Sequence, residues 1–340
     1  MDTAGCGSVS DSVRGYPLRA FVICLIAYTT AQMDLALFGY AVPAIRAEFG
    51  LTLSKVMAIV SSAFLLGGAL LVVLGWLADR VGRLPLFQFS LLGSSFLVAL
   101  ISIAPGVATL TALRGASIAV GGLSYPITGA IITEEMPARL RGLFMGLLQI
   151  GYPLGWALAS LWSMWLLTEY GWRQLFWVGL VSLPMVWVVR RYLREPPRSV
   201  AARSTQSPPR FSDLFATGIR ERAITLFIAQ FLFVWAYAAS IFLFPSFLRE
   251  VRALDAFNFS LLIGAGNAIG SLGYVLAAWI GERVWTRRNT VVLWTLLGAL
   301  LFQVLVWVPT SFGQILLVYA LMSMFFYGSA AVKFAYLAEV

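Results

Sequence analysis

Apolar residues run along this chain in blocks broken only by clusters of charge or by Pro/Gly turns. Cutting at those breaks predicts ten spans: Ala20 to Ile45, Val56 to Ala78, Leu84 to Ile103, Val107 to Thr133, Gly142 to Leu167, Gln174 to Val189, Ala223 to Phe247, Phe257 to Ile280, Thr290 to Val308 and Ser311 to Leu337. A helix crosses a bilayer with about 20 apolar residues, so most of these are long enough to tilt, and the sixth is marginal. The pattern predicts an all-α polytopic membrane protein. The first apolar stretch carries no small-residue cleavage site, so no cleavable signal peptide is expected.

Composition agrees with the pattern. Of 340 residues, 60% are apolar and 11% charged, where a soluble domain is about a quarter charged. The formal charge of +9 invites a nucleic-acid reading, but the placement of Lys and Arg removes it. With the amino terminus cytoplasmic, 17 basic residues fall in inner segments and 5 in outer ones, which sets the orientation by the positive-inside rule. The Arg/Ser/Pro-rich stretch after the sixth span reads as a cytoplasmic linker, giving an amino-terminal domain over 1–192, a linker over 193–222 and a carboxy-terminal domain over 223–340. Cys6 and Cys24 are the only cysteines and there is no histidine. No catalytic residue, metal site or cofactor is expected, and any proton chemistry falls to carboxylates.

The two halves echo each other. Pro43 matches Pro245, the pair Asp79-Arg80 matches Glu282-Arg283, and Glu135 matches Glu339, at offsets of 202, 203 and 204 residues. Three matches in order at a nearly constant offset point to a duplicated six-helix unit. The second half holds four spans, so the expectation is a truncated second half with about ten of twelve spans present; a genuine ten-helix protein is the alternative.

The segment Gly75-Trp76-Leu77-Ala78-Asp79-Arg80-Val81-Gly82-Arg83 resembles the loop signature of the major facilitator superfamily, with Leu84 in place of its last base. Its glycines suit a tight turn, and Asp79, Arg80 and Arg83 can pair with each other and with helix ends to gate the packing of neighbouring helices. Arg114 with Gly115, Gly121 and Gly122, and the stretch Glu134 to Gly142, are similar to the same superfamily. Gly142, Gly151 and Gly155 reproduce only the start of the antiporter glycine pattern, and close helix approach accounts for them. Met33 to Ile45 resembles the first helix of aromatic acid/proton symporters; Asp34 keeps the second acid of their D-G-F-D, and Ala31 has lost the first. Arg141 to Tyr152 and Arg194-Glu195-Pro196-Pro197-Arg198 look like the sialate and lactate type of carboxylate/proton symporter. The resemblance implies a two-domain helical bundle with spans one, four, seven and ten around the cavity.

Charges at bilayer depth are costly and usually face a cavity. Asp34 lies 15 residues beyond Arg19, about 22 Å along a helix. It is the candidate proton carrier. Arg114 either snorkels outward or reaches toward Asp34, and Lys333 either binds substrate or snorkels inward. Tyr125, Gln149, Gln230 and Asn267 are the neutral candidate substrate donors. The expected function is secondary transport of a small organic anion, a carboxylate, with proton symport by alternating access, in a monomer of the cell membrane. The chain is not expected to be an enzyme, and its partners are substrate, protons and the lipid bilayer. A uniporter or antiporter of the same fold, a non-transporting sensor and an inactive fragment are the alternatives.

Overall fold

A computed structural model describes residues 15–195, isolated positions between 221 and 235, and residues 238–337. The side chains of Asp79 and Arg80, the whole of Gln230, and Cys6, Glu339 and nearly all of the linker lie outside the described residues. In lipid every backbone N–H and C=O needs a partner within its own segment, and the chain meets that demand with helices. They are α1 (Tyr16–Phe49), α2 (Leu53–Val81), α3 (Arg83–Ile101), α4 (Val107–Glu135), α5 (Arg141–Glu169), α6 (Trp172–Tyr192), α7 (Phe244–Glu250), α8 (Ala256–Gly281), α9 (Arg287–Trp307) and α10 (Phe312–Leu337). Nine of the described helices are long and apolar enough to cross a membrane. The seventh sequence span, Ala223 to Phe247, falls mostly outside the described residues, and α7 with a preceding π-helical turn, Ala238–Phe242, is its end.

The sixth span corrects the sequence expectation. It reaches from Trp172 to Tyr192 because Phe176–Ser182 continues the helix as a seven-residue 3₁₀ stretch. A 3₁₀ turn rises about 2.0 Å per residue, so the element is longer than an α-helix with the same number of residues. Gly179 sits in this stretch against α3, where a Cβ would lie 2.8 Å from Val98 and 3.2 Å from the Ser95 carbonyl.

The core shows how the halves join. One cluster runs from Met33 to Ile45 of α1 through Trp156 of α5 to Phe242, Phe244, Phe259, Tyr319 and Tyr327, and so includes both halves. A second contains only first-half residues, from Ala20 to Tyr28 of α1 with Leu91, Ile131, Leu148 and Val189. A third contains only Ala277, Trp294 and Val332 of the second half. The halves are therefore fused toward the Arg46 end of α1, while the apolar core divides toward the end that carries Gly82 and Arg83. At that second end, called the basic end here, α5 still touches the second half. A Cβ on Gly146 would lie 3.8 Å from the Ala331 carbonyl and 4.0 Å from Ala278. Gly155 performs the same service between α5 and α1, where a Cβ would stand 2.6 Å from Gln32 and 2.7 Å from the Met33 nitrogen. Large apolar side chains on the outside, among them Leu65, Val73, Leu300 and Trp307, face the lipid.

Candidate functional site

Asp34 is 2% exposed, and the 3₁₀ stretch of α6 delivers Ser182 to it. The Ser182 hydroxyl donates to the carboxylate, 3.3 Å from Oδ1 and 3.2 Å from Oδ2. Arg114 of α4, also 2% exposed, turns inward. Its Nη2 donates to the Leu35 carbonyl at 2.9 Å, and its guanidinium lies 4.7 Å from the centre of the Phe38 ring. Of the two sequence expectations for Arg114, reaching inward is the one the geometry supports. Asp34 and Arg114 line one cavity of about 100 Å³ together with Gln32, Ser94 and Ser117. All of these residues belong to the first half. The acid and the base thus line one cavity built from first-half residues, whose Phe64 in turn packs edge-on against Phe242 of the second half.

The seam carries a different chemistry. Gln149 of α5 is 2% exposed and accepts from the Tyr28 hydroxyl at 3.3 Å, with Tyr125 beside it. The Tyr28 and Tyr125 rings stand 5.9 Å apart. Tyr125 and Gln149, two of the neutral donors expected from sequence, are therefore brought together. Asn267 is elsewhere: it donates to the Ile263 carbonyl at 2.8 Å and to the Tyr319 hydroxyl at 3.1 Å, inside the second half. Lys333 is half-buried on α10, near its end. Sequence reasoning did not single out Ser182, Tyr28, Tyr274 or Tyr327. A serine or tyrosine in a helix that is apolar all round carries no periodicity to say which way it points.

At the basic end, Gly82 makes the turn between α2 and α3 with φ 117°, a conformation open to glycine. Gly75 does not: it lies within α2, and a Cβ there would meet nothing within 4 Å, which corrects the expectation that both glycines serve the turn. Arg83 pairs with Glu134 at the end of α4. Glu195 accepts from the backbone N–H groups of Arg83 at 2.8 Å and Leu84 at 2.9 Å, satisfying two donors left open at the start of α3. The Arg194 N–H donates to the Tyr16 hydroxyl at 2.8 Å. The residues that follow the sixth span are thereby tied to the loop between α2 and α3. Among the described residues no three His, Cys, Asp or Glu side chains converge to hold a metal ion.

Membrane-length helices that turn lipid-compatible surfaces outward and gather a carboxylate, a guanidinium and tyrosines inward define a polytopic membrane protein with a buried polar interior. The chain belongs to the Major Facilitator Superfamily, whose family model matches residues 24–339. It is 31% identical over 180 residues to the cis,cis-muconate transport protein of Acinetobacter baylyi, covering 52% of this chain and 43% of that one. It is 26% identical over 320 residues to the gentisate transporter of Corynebacterium glutamicum, covering 91% of this chain and 71% of that one. The chain thus spans less than half of the first relative's length. Its fold is similar to that of the xylose transporter XylE from E. coli in a partially occluded inward open conformation, with a TM-score of 0.71, 16% identity, and coverage of 95% and 85%. Family and relatives are membrane transporters, not enzymes.

Proposed function

We propose that this protein moves a small organic anion, a carboxylate, across the membrane by alternating access, with a proton carried in the same direction on Asp34. The observation that supports it is a carboxylate 2% exposed, held by the Ser182 hydroxyl and sharing a cavity with Arg114. A carboxylate at this depth is costly unless it is paired or protonated, so it exchanges a proton when its surroundings change. Relatives named for muconate and gentisate transport favour an acid as the substrate.

In this reading the domains are 1–192 and 223–340, joined by the linker 193–222, and the amino terminus is cytoplasmic in a monomer. Substrate binds at the seam, near Tyr125 and Gln149. Arg114 supports the ionised acid while the site is empty and yields that support as the substrate and proton load together. The Gly82 turn, with Asp79, Arg80 and Arg83, holds α2 and α3 in one packing of the halves.

Counterflow in proteoliposomes, with a panel of labelled carboxylates and of neutral sugars, tests the substrate class. Exchange of at least one carboxylate and of no sugar is the expected result. Exchange confined to sugars overturns the reading.

A further inference from the structure

The end of α6 carries charge that the transport reading above uses only to join two domains. Trp187, Arg190 and Arg191 stand at positions i, i+3 and i+4, the spacing that puts side chains on one face of a helix. The helix ends at Tyr192. Arg194 lies just beyond it, where its backbone N–H donates to the Tyr16 hydroxyl at 2.8 Å and its guanidinium covers the Tyr16 ring at 5.0 Å. The Arg191 guanidinium is 5.8 Å from the centre of the Tyr192 ring, and that ring meets Trp187 edge-on at 6.1 Å. Arginines and rings are thus interleaved in one patch.

The patch is open and positive. Trp187 is 64% exposed and Tyr192 41%, and all three arginines are exposed. The ion pairs formed among the described residues use other arginines, Arg46, Arg83 and Arg173. Glu195 turns its oxygens to the Arg83 and Leu84 N–H groups, and Glu135 is a half-buried carboxylate that acts on Arg194. Among the described residues, then, no carboxylate pairs with Arg190 or Arg191. Depth adds a second constraint. Trp187 belongs to a membrane-length span, and Arg191 follows it by four residues, about 6 Å along the axis. Tryptophan favours the membrane–water interface, so guanidinium groups one turn further out lie level with lipid phosphates.

We propose that this end of α6 is a docking surface for an anionic phospholipid, with its phosphate held by Arg190 and Arg191 and its glycerol and first acyl carbons laid against Trp187 and Tyr192. Charge complementarity selects the occupant: a guanidinium meets phosphate oxygens through paired N–H bonds, and each basic residue near a membrane surface favours an anionic over a neutral lipid by about fivefold. The ties beside the patch, Arg194 to α1 and Glu195 to α3, carry the effect inward, so a bound lipid steadies the corner where three first-half helices meet. The inference is independent of which solute is carried and of whether a proton accompanies it.

The test offers the purified 340-residue chain, in a neutral detergent, equal amounts of phosphatidylglycerol and phosphatidylcholine with the same acyl chains, and reads the retained lipid by native mass spectrometry. The parent is expected to retain phosphatidylglycerol in preference by about twentyfold, the product of two arginines, with the ratio falling as salt rises. Arg190→Gln with Arg191→Gln brings the ratio close to one. Arg283→Gln with Arg288→Gln removes the same charge from the other basic end of the second half and leaves the ratio as in the parent. Trp187→Leu weakens retention of both lipids and leaves their ratio unchanged. A parent ratio near one at low salt overturns the proposal, and this arm needs no variant, so it decides even if the glutamine pair fails to insert. An equal fall of the ratio in the Arg283 and Arg288 pair also overturns it, because net charge and not this surface then selects the lipid.

Discussion

Arg46 of α1 and Glu250 of α7 form an ion pair that ties the first half to the second at the end away from the basic loops. The side chains are 18% and 42% exposed, so solvent and salt screen the attraction. The pair sits above the shared core, where the halves are already fused by Trp156, Phe242 and Tyr319. It acts as a latch on a closed face rather than as the source of the closure. Glu250→Gln is expected to weaken that closure by about 0.5–1 kcal/mol, a shift of a few-fold in population. Solvent accessibility of a cysteine placed at Ser246, buried under the latch, measures it: labelling rises in the Glu250→Gln protein and rises in the parent as salt increases. Labelling that is unchanged by either shows that the pair does not hold the face shut.

Gly155 and Gly68 make a matched pair of stability probes. A Cβ at Gly155 would press on the backbone and side chains of α1, whereas one at Gly68 would meet nothing within 4 Å. Gly155→Ala is expected to destabilise the fold by about 1–3 kcal/mol through overpacking. Gly68→Ala is expected to be neutral or mildly stabilising, by up to about 1 kcal/mol of helix propensity. Thermal unfolding of the two variants in detergent checks the difference, and equal midpoints contradict the close contact of α1 and α5.

Glu195 ties the start of α3 to the segment after α6 by accepting two backbone N–H bonds. Removing that carboxylate in Glu195→Ala leaves both donors open at a helix start and is expected to cost about 1 kcal/mol. Glu195→Gln, which still accepts from one N–H, is expected to cost less. Unfolding midpoints ordered parent, Gln, Ala support the assignment, and identical midpoints contradict it.

The Ser182 hydroxyl donates a hydrogen bond to the Asp34 carboxylate. Its loss in Ser182→Ala is expected to lower proton-driven uptake roughly threefold to tenfold, the value of one hydrogen bond to a buried carboxylate. Exchange of substrate without a gradient is expected to change less, and Ser182→Thr, which restores the hydroxyl, is expected to recover most of the loss. Equal loss of uptake and exchange in the alanine variant assigns Ser182 to folding instead.

Much of this fold is legible in the chain because lipid imposes a simple rule: a span must be apolar along its whole length. Nine of the ten predicted spans return as membrane-length helices, with ends displaced by a few residues. The loop between α2 and α3, with Gly82 at its turn and Arg83 in an ion pair, is legible for a related reason, since charge and glycine are scarce here and stand out where they occur. What the sequence hides is direction. The helices are apolar on every side, so nothing in the pattern says that Asp34 meets Ser182 of α6, or that Tyr327 meets the rings of Tyr152 and Tyr274. The 3₁₀ stretch Phe176–Ser182, which sets the reach of α6 to Asp34, has no sequence mark either, because its hydrogen bonds are made by the backbone alone. The latch between Arg46 and Glu250 pairs residues 204 positions apart and is visible only once the halves are placed together.

Asp34 as the carrier of the proton is the claim on which the functional account turns, and paired uptake and counterflow of one carboxylate by the parent and Asp34→Asn proteins in proteoliposomes test it most directly. Asparagine is nearly the same size and still accepts from Ser182, but it holds no titratable proton. The account predicts that Asp34→Asn loses accumulation driven by an imposed proton gradient while keeping a substantial part of the gradient-free exchange. Accumulation by Asp34→Asn at the parent rate under the same gradient contradicts it and places the proton on another group.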